Sequence, residues 1–301
     1  VHQPYRLRRH SVFDIGENKD YFSDSSDSDL NNRKILQKVS DKCYLPANKA
    51  ILELIKKHPD FKVAYSLSGT VLDQFQEYNP EVLQSFQELA DTGNVEFLDE
   101  TNHHSLSFLF DKKEFRDQVL QHRAKIKKHF NQAPNVFRNT ELIFNNELAK
   151  TVQDMGYKGI LAEGADHILG WRSPNFVYTP RTAEKIRLLL KNYRLSDDIA
   201  FRFSEKAWKD WPLTSEKFAN WVNNHNGNGH TINLFMDYET FGEHQWESTG
   251  IFNFLKALPR EVLKNPDNNF KTPSEVIKEY DPVGEIDAHN FVSWADVERD
   301  L

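Results

Sequence analysis

Short apolar runs alternate with amphipathic helical stripes along most of this chain, and that alternation constrains the fold more than any other feature. Residues 62–69 (KVAYSLSG), 95–98, 135–138, 157–162, 199–203 and 231–236 (TINLFM) read as strands. They are short, rich in β-branched and aromatic residues, and bounded by turn formers. The last of them reads as buried on both faces. Residues 1–9 (VHQPYRLRR) read as the exit of a first strand, ended by Pro4, which has no N–H to give a ladder. Between the runs lie helical stripes: Ala47, Ala50, Ile51, Leu54 and Ile55; Val82, Phe86, Leu89 and Ala90; Phe115, Val119, Ile126 and Phe130; Leu148, Val152 and Met155; Phe218, Trp221 and Val222; Ile251, Phe254, Leu255 and Leu258. Asn79–Pro80 and Thr214 supply starts, Gly93 and Gly156 supply ends, and Pro259 is expected to stop the last helix. Strands separated by helices pair in parallel, because each crossover carries a helix over the sheet. Seven such strands closed on themselves make a barrel of seven rather than eight staves.

The totals fit one domain over residues 1–301. The barrel core is expected at about 1–260, with 261–301 an extension leading toward a further helical region; a helix is expected to begin in SWADVERDL. The formal charge is -7 with acids and bases mixed, so no basic face for nucleic acid is expected. No apolar run approaches the roughly 18 residues of a membrane span. Cys43 is the only cysteine, which precludes an intrachain disulfide and agrees with a reducing, cytoplasmic setting. Residues 14–32 read as a solvated loop; its acidic stretch lacks the glycine and closing glutamate of a calcium loop. No P-loop, GxGxxG or nucleophile elbow is present, and no cofactor is expected. Oligomeric state is not legible.

The chemistry gathers after the strands, the catalytic face of a parallel barrel. Asp237 follows the 231–236 run, with Glu239, Glu243 and His244 close behind in NLFMDYETFGEH. Glu141 follows the 135–138 run in the same way. Other strand-end loops carry Asp99, Glu100, His103 and His104, and then Glu163, Asp166, His167, Trp171 and Arg172. Adjacent histidines need not face one centre and no H-x-x-x-H helix is present, so no metal is expected. Two carboxylates among aromatic, histidine and arginine side chains suit glycoside hydrolysis, in which one carboxyl is ionised and the other protonated. The acid then needs an apolar or anionic neighbourhood to hold its proton, available from Phe235, Met236, Phe241 and Trp246 or from nearby glutamates.

These stretches resemble glycoside hydrolase family 57, the retaining α-glucan-active family, and in particular its α-amylase members. The resemblance is carried by His2-Gln3-Pro4, GNVEFLDETNHHS, FRNTELIFNN, FMDYETFGEH and HNFVSWADVERDL, with EGADHILGWRSPN matching the amylase-like members. It implies an incomplete (β/α)7 barrel, TIM-barrel-like, with the active site at the C-terminal ends of the strands. It implies Glu141 as nucleophile and Asp237 as general acid/base, their carboxyl groups about 5–5.5 Å apart for retention. By the same resemblance His2, Gln3, His104, Trp171, Arg172, Glu239, His244, Trp246 and Trp294 bind an α-glucan oligo- or polysaccharide. The chemistry alone does not separate an α-amylase from a 4-α-glucanotransferase. A metal-dependent polysaccharide deacetylase or mannosidase needs His2, His104 and an aspartate on one zinc, and a non-catalytic glucan-binding module needs neither carboxylate.

Overall fold

The computed structural model describes residues 1–17, 20–23 and 26–296. Seven strands form among the described residues: β1 (Val63–Tyr65), β2 (Val95–Phe97), β3 (Val136–Arg138), β4 (Gly159–Glu163), β5 (Thr179–Pro180), β6 (Arg187–Lys191) and β7 (Glu285–Ile286). β1 and β2 pair in parallel, Val63 opposite Val95 and Tyr65 opposite Phe97. A parallel bridge between Asp99 and Phe137 carries the ladder to β3. β3 pairs with β4, and β4 with β6 from Gly159–Arg187 to Glu163–Lys191. Val1 extends the order on the other side of β1, donating to Ser66 O at 2.8 Å and accepting from Ser68 N at 3.1 Å. This alternating pattern is that of a parallel neighbour. From Val1 through β1, β2, β3 and β4 the strands thus lie side by side in chain order, β6 follows β4 directly, and β5 pairs with β7 instead.

The helices form where the stripes place them. Lys112–Phe130 starts at Asp111, whose carboxylate accepts from Lys113 N and Glu114 N, and ends at Asn131 with a left-handed φ of 54°. Its inward Phe115, Val119, Ile126 and Phe130 are buried. Phe130 stacks on Phe97 of β2 with ring centroids 3.9 Å apart. Each such ring contributes roughly 1.5–3 kcal/mol by leaving water. Helices Leu45–Lys57, Pro80–Asp91 and Asn146–Asp154 bury most of their stripes in the same manner, while in Ser215–Asn223 Phe218 is buried and Trp221 and Val222 are half-buried. Among the described residues no helix is long and apolar enough to cross a membrane.

Four expectations are corrected. The sixth strand is not residues 199–203 but β6, whose Leu188, Leu189 and Leu190 are buried between Arg187 and Lys191. Ile199 instead continues the stripe of helix Tyr193–Ala200, in which Asn192 caps by accepting from Leu195 N. Residues 231–236 are not a strand buried on both faces. They run without ladder partners, tied to the β6 exit by Asn192 N–Asn233 O (2.9 Å) and Asn233 Nδ2–Leu190 O (2.9 Å), and only Asn233 is buried. Their apolar side chains line a cavity of about 670 Å³ together with Leu98, Leu142, Leu161 and Leu189. Residues 1–9 form no strand beyond the single pairing of Val1. Finally, Pro259 lies within helix Ile251–Val262 and does not end it: in the last turn a missing N–H costs one hydrogen bond, while Phe254, Leu255 and Val262 remain buried.

The 261–296 stretch is packed against the strands. Helix Pro273–Glu279 opens with a capping box between Thr272 and Glu275. β7 pairs with β5, and Val292 bridges Phe144. The helix expected in SWADVERDL falls largely on residues 297–301, outside the described residues.

Candidate active site

The exit of β3 turns sharply. Glu141 adopts φ 55°, ψ 23°, and Leu142 follows at φ 51°. A non-glycine residue held left-handed costs about 1–2 kcal/mol, and such strain persists where neighbours fix it. Here the Glu141 carbonyl accepts from Ser293 Oγ (2.7 Å) and Trp294 N (3.2 Å), while Phe144 and Val292 exchange backbone bonds of 2.9 Å. The 292–294 segment therefore clamps the turn and delivers Trp294 to it. Trp294 Nε1 donates to Glu141 Oε2 at 2.7 Å. Two cations approach the indole, with Arg138 Cζ 5.0 Å and Lys191 Nζ 5.4 Å from the ring centroid.

The second Glu141 oxygen meets His104, whose Nε2 is 3.3 Å from Oε1. His104 also sits at a left-handed φ of 51°. Its Nδ1 is 2.7 Å from Oε2 of Glu100, a carboxylate 1% exposed whose Oε1 accepts from Ser66 Oγ at 2.6 Å. The hydrogen bond from His104, followed by those of Trp294 and the charge of Arg138, outweighs burial and holds the Glu141 carboxyl down at about 2. Burial works against charge on Glu100, yet His104 and Arg138 bring its carboxyl well below the usual range. Burial likewise opposes charge on His104, and the bonds to Glu100 and Glu141 overcome it, so its pKa is raised. His2 stacks on His104 at 4.4 Å and binds Ser68 Oγ through Nδ1 at 2.8 Å. Burial and the neighbouring His104 charge lower His2 to about 3.

Asp237 stands exposed at the rim of the 670 Å³ cavity, which Arg138 and Trp294 also line. The residues just after it are bolted to the helical segment 40–57. Cys43 Sγ donates to Tyr238 O (3.3 Å), Tyr44 Oη to Glu239 Oε1 (2.5 Å) and Tyr238 Oη to Asn48 Oδ1 (2.7 Å); Glu243 pairs with Lys38 at 2.7 Å. Gln3 Nε2 reaches Tyr44 Oη at 3.3 Å, so Gln3 and Glu239 belong to one buried chain of hydrogen bonds. Gly242 has φ 118° with its α-carbon against the Lys42 carbonyl, a close approach that excludes a side chain.

The structure thus brings Glu141, His104, His2 and Trp294 together, and of these four Trp294 lines the cavity at whose rim Asp237 stands. Trp171 is 91% exposed and paired with Arg172, whose Cζ is 5.5 Å from its ring. His244 is exposed, and Trp246, 62% exposed, lies 5.7 Å from Lys42 Nζ. None of these four takes part in the hydrogen bonds that hold Glu141. Among the described residues no three His, Cys, Asp or Glu side chains are placed to hold a metal ion. Sequence reasoning missed Arg138 and Lys191 and did not separate Glu100 from the other loop acids. A basic residue closing a buried strand is the signal that could have found the first two, since burial of such a charge demands a partner. Lys191 meets Glu163 at 3.4 Å and Asp197 at 3.2 Å.

Residues 1–289 match the protein-family model described as Glycosyl hydrolase family 57. The chain is 46% identical over 304 residues to the protein named "Putative alpha-amylase" of Methanocaldococcus jannaschii, covering all of this chain and 63% of that protein's length. In fold it resembles the 4-alpha-glucanotransferase of Thermococcus litoralis, with a TM-score of 0.70 at 17% identity over 86% of this chain and 40% of the other. It also resembles the alpha-amylase AmyC of Thermotoga maritima, with a TM-score of 0.66 at 13% identity over 98% of this chain and 76% of the other.

Proposed function

We propose, from the premise that this chain belongs to glycosyl hydrolase family 57, that it carries the catalytic centre of a retaining, α-amylase-type enzyme acting on α-1,4-glucans. Its staves are read as an incomplete (β/α)7 barrel, with residues 231–236 as the seventh. Glu141 is the nucleophile and Asp237 the general acid/base. The observation that carries this reading is the Glu141 carboxylate: it stands at the C-terminal end of a parallel strand, with a donor on each oxygen and its pKa held at about 2. A nucleophilic carboxylate must be ionised when the sugar arrives, and this one is ionised at any working pH.

In the first step a Glu141 oxygen forms a bond to the anomeric carbon as the glycosidic C–O bond breaks, and the Asp237 proton goes to the departing oxygen. In the second, Asp237 takes a proton from water or from a sugar hydroxyl, which attacks the same carbon and releases Glu141. Water gives hydrolysis; a sugar acceptor gives 4-α-glucanotransfer by the same residues. The exposed Trp171 and Trp246 and the stacked His2 offer the flat faces on which sugar rings rest.

The test is incubation of wild type, Glu141→Gln and Asp237→Asn with maltoheptaose, followed by product-length analysis. The expected result is shorter oligosaccharides from wild type, with turnover reduced by about 10²–10⁴-fold in each variant. Products both longer and shorter than the substrate assign glucanotransfer. Wild-type turnover that survives Glu141→Gln sinks the nucleophile assignment, as does a carboxyl separation outside about 5–5.5 Å in a substrate-bound structure.

A further inference from the structure

We propose that Glu100 is a positioning residue that keeps His104 doubly protonated, so that one ring N–H anchors the imidazole and the other holds the Glu141 carboxylate in line with the sugar. This rests on the reading of Glu141 as nucleophile and extends it to a residue that touches neither substrate nor reacting atoms.

The acceptors facing the two ring nitrogens of His104 decide its proton count. Nδ1 of His104 lies 2.7 Å from a Glu100 oxygen and Nε2 lies 3.3 Å from a Glu141 oxygen. An ionised carboxyl group only accepts, so a ring nitrogen facing one must carry a proton. Either neutral tautomer satisfies one of these contacts and leaves two acceptors facing each other at the other; the imidazolium satisfies both. Glu100 is suited to the anchoring role because it is buried and its second oxygen is already bonded to Ser66 Oγ at 2.6 Å. A carboxylate so enclosed demands a cation within reach, and His104 is the one it bonds directly.

The other charged groups around the dyad fit this division. Arg138, from the end of β3, brings Nη1 to 3.4 Å from His104 Nδ1. That is an approach of two donors, longer than the Glu100 contact, and it opposes a charge on His104 while favouring one on Glu100. His122, from helix Lys112–Phe130, adds a further favourable interaction for the Glu100 carboxylate. His2, from the N-terminal segment, stacks on the ring at 4.4 Å with an interplanar angle of 23°. Two stacked cations would repel, and His2 is kept neutral, so the pair divides into one charged and one uncharged imidazole. Neither proton leaves His104 during turnover. When the glycosyl–enzyme bond forms, Glu141 loses its charge while the Nε2–H stays in place, ready to stabilise the carboxylate as it departs in the second step.

The experiment reads His104 directly by ¹⁵N NMR of histidine-labelled protein from pH 5 to 8, with His104→Asn for assignment, alongside pH profiles of kcat and KM on maltoheptaose for wild type and Glu100→Gln. In wild type both His104 nitrogens are expected in the protonated range at pH 7. In Glu100→Gln the ring is expected to be neutral at pH 7 and to protonate toward pH 5. Its kcat should recover in parallel, so that the ratio of kcat at pH 5 to that at pH 8 rises at least about tenfold over wild type, the worth of one charge-assisted hydrogen bond. KM should change little, which a merely structural lesion would not reproduce. One unprotonated His104 nitrogen at pH 7 in wild type overturns the proposal, and so does a Glu100→Gln profile parallel to that of wild type. The wild-type spectrum decides even if Glu100→Gln fails to fold. If Glu141→Gln retains turnover while His104 is doubly protonated, the nucleophile reading fails and the Glu100–His104 pairing stands.

Discussion

Replacing Gly242 with alanine tests whether the loop that carries Asp237 is held in place by the helical segment it packs on. A Cβ at this position falls 1.9 Å from the Lys42 carbonyl oxygen, 2.8 Å from its carbon and 3.2 Å from Cys43 Cα, at a backbone φ of 118°. The sparsely populated backbone region costs about 1–3 kcal/mol. Parting two packed backbones costs about 1–3 kcal/mol more. No rotamer change relieves the clash, because each atom it meets is main chain. The variant should therefore lose about 2–6 kcal/mol, a large share of the about 5–15 kcal/mol by which a domain is stable. Relief comes by lifting the loop, which breaks Cys43–Tyr238, Tyr44–Glu239 and Lys38–Glu243 together. The assay is urea unfolding at pH 7 followed by tryptophan fluorescence, with maltoheptaose turnover measured on the same samples. The expected result is a lower midpoint at unchanged slope, native far-ultraviolet circular dichroism in buffer, and turnover down more than about tenfold from a displaced Asp237. A stability within about 0.5 kcal/mol of wild type together with unchanged turnover would refute the reasoning, since that is the range of a surface substitution.

Three further outcomes rest on the buried polar groups. Tyr44→Phe removes the hydroxyl bonded to Glu239 at 2.5 Å and should destabilise by about 1–3 kcal/mol in the same urea assay, the cost of stripping a buried carboxylate of a donor. Asp99 is fully buried and bonds His122 Nδ1 (2.5 Å), Arg123 Nε (3.2 Å) and the Tyr157 hydroxyl. Asp99→Asn should therefore cost about 3–5 kcal/mol. Burial opposes charge on His122 but the Asp99 bond prevails, so its folded pKa stands above 6.5. A raised pKa gives stability that is complete below the unfolded value and fades as pH rises through the folded one. Thermal melts from pH 6 to 9 should show a declining Tm in wild type and a flatter, lower curve in Asp99→Asn; parallel curves would refute the assignment.

The stripes in helices Leu45–Lys57, Lys112–Phe130 and Ser215–Asn223 were legible because helix burial repeats on a local period that side-chain polarity reports. The strand ends carrying Glu141 and Asp99 were legible for a similar reason: a carboxylate beside a short apolar run stands out. The sixth and seventh of the expected strands were not. RLLLK and IAFRF are both short runs with strand formers, and which becomes a strand depends on whether β4 lies beside it, a contact between residues some 28 positions apart, as in Glu163–Lys191. TINLFM has strand composition yet gains no ladder, because pairing is a property of neighbours and not of a segment.

The chain by itself determined the parallel α/β class, the helices with a clear apolar stripe, and the family to which its motifs belong, since propensity, periodicity and motif spacing are written in consecutive residues. Tertiary structure alone decided that Glu100 rather than another loop acid meets His104, that Trp294 crosses 153 positions to bond Glu141, and that Glu239 faces Tyr44. Left-handed turns at His104 and Glu141 aim those side chains, and such turns are held by the bonds that distant segments make to them. The charge state of a carboxylate is set by which donors reach it and how much water is excluded, and neither is fixed by its neighbours in sequence.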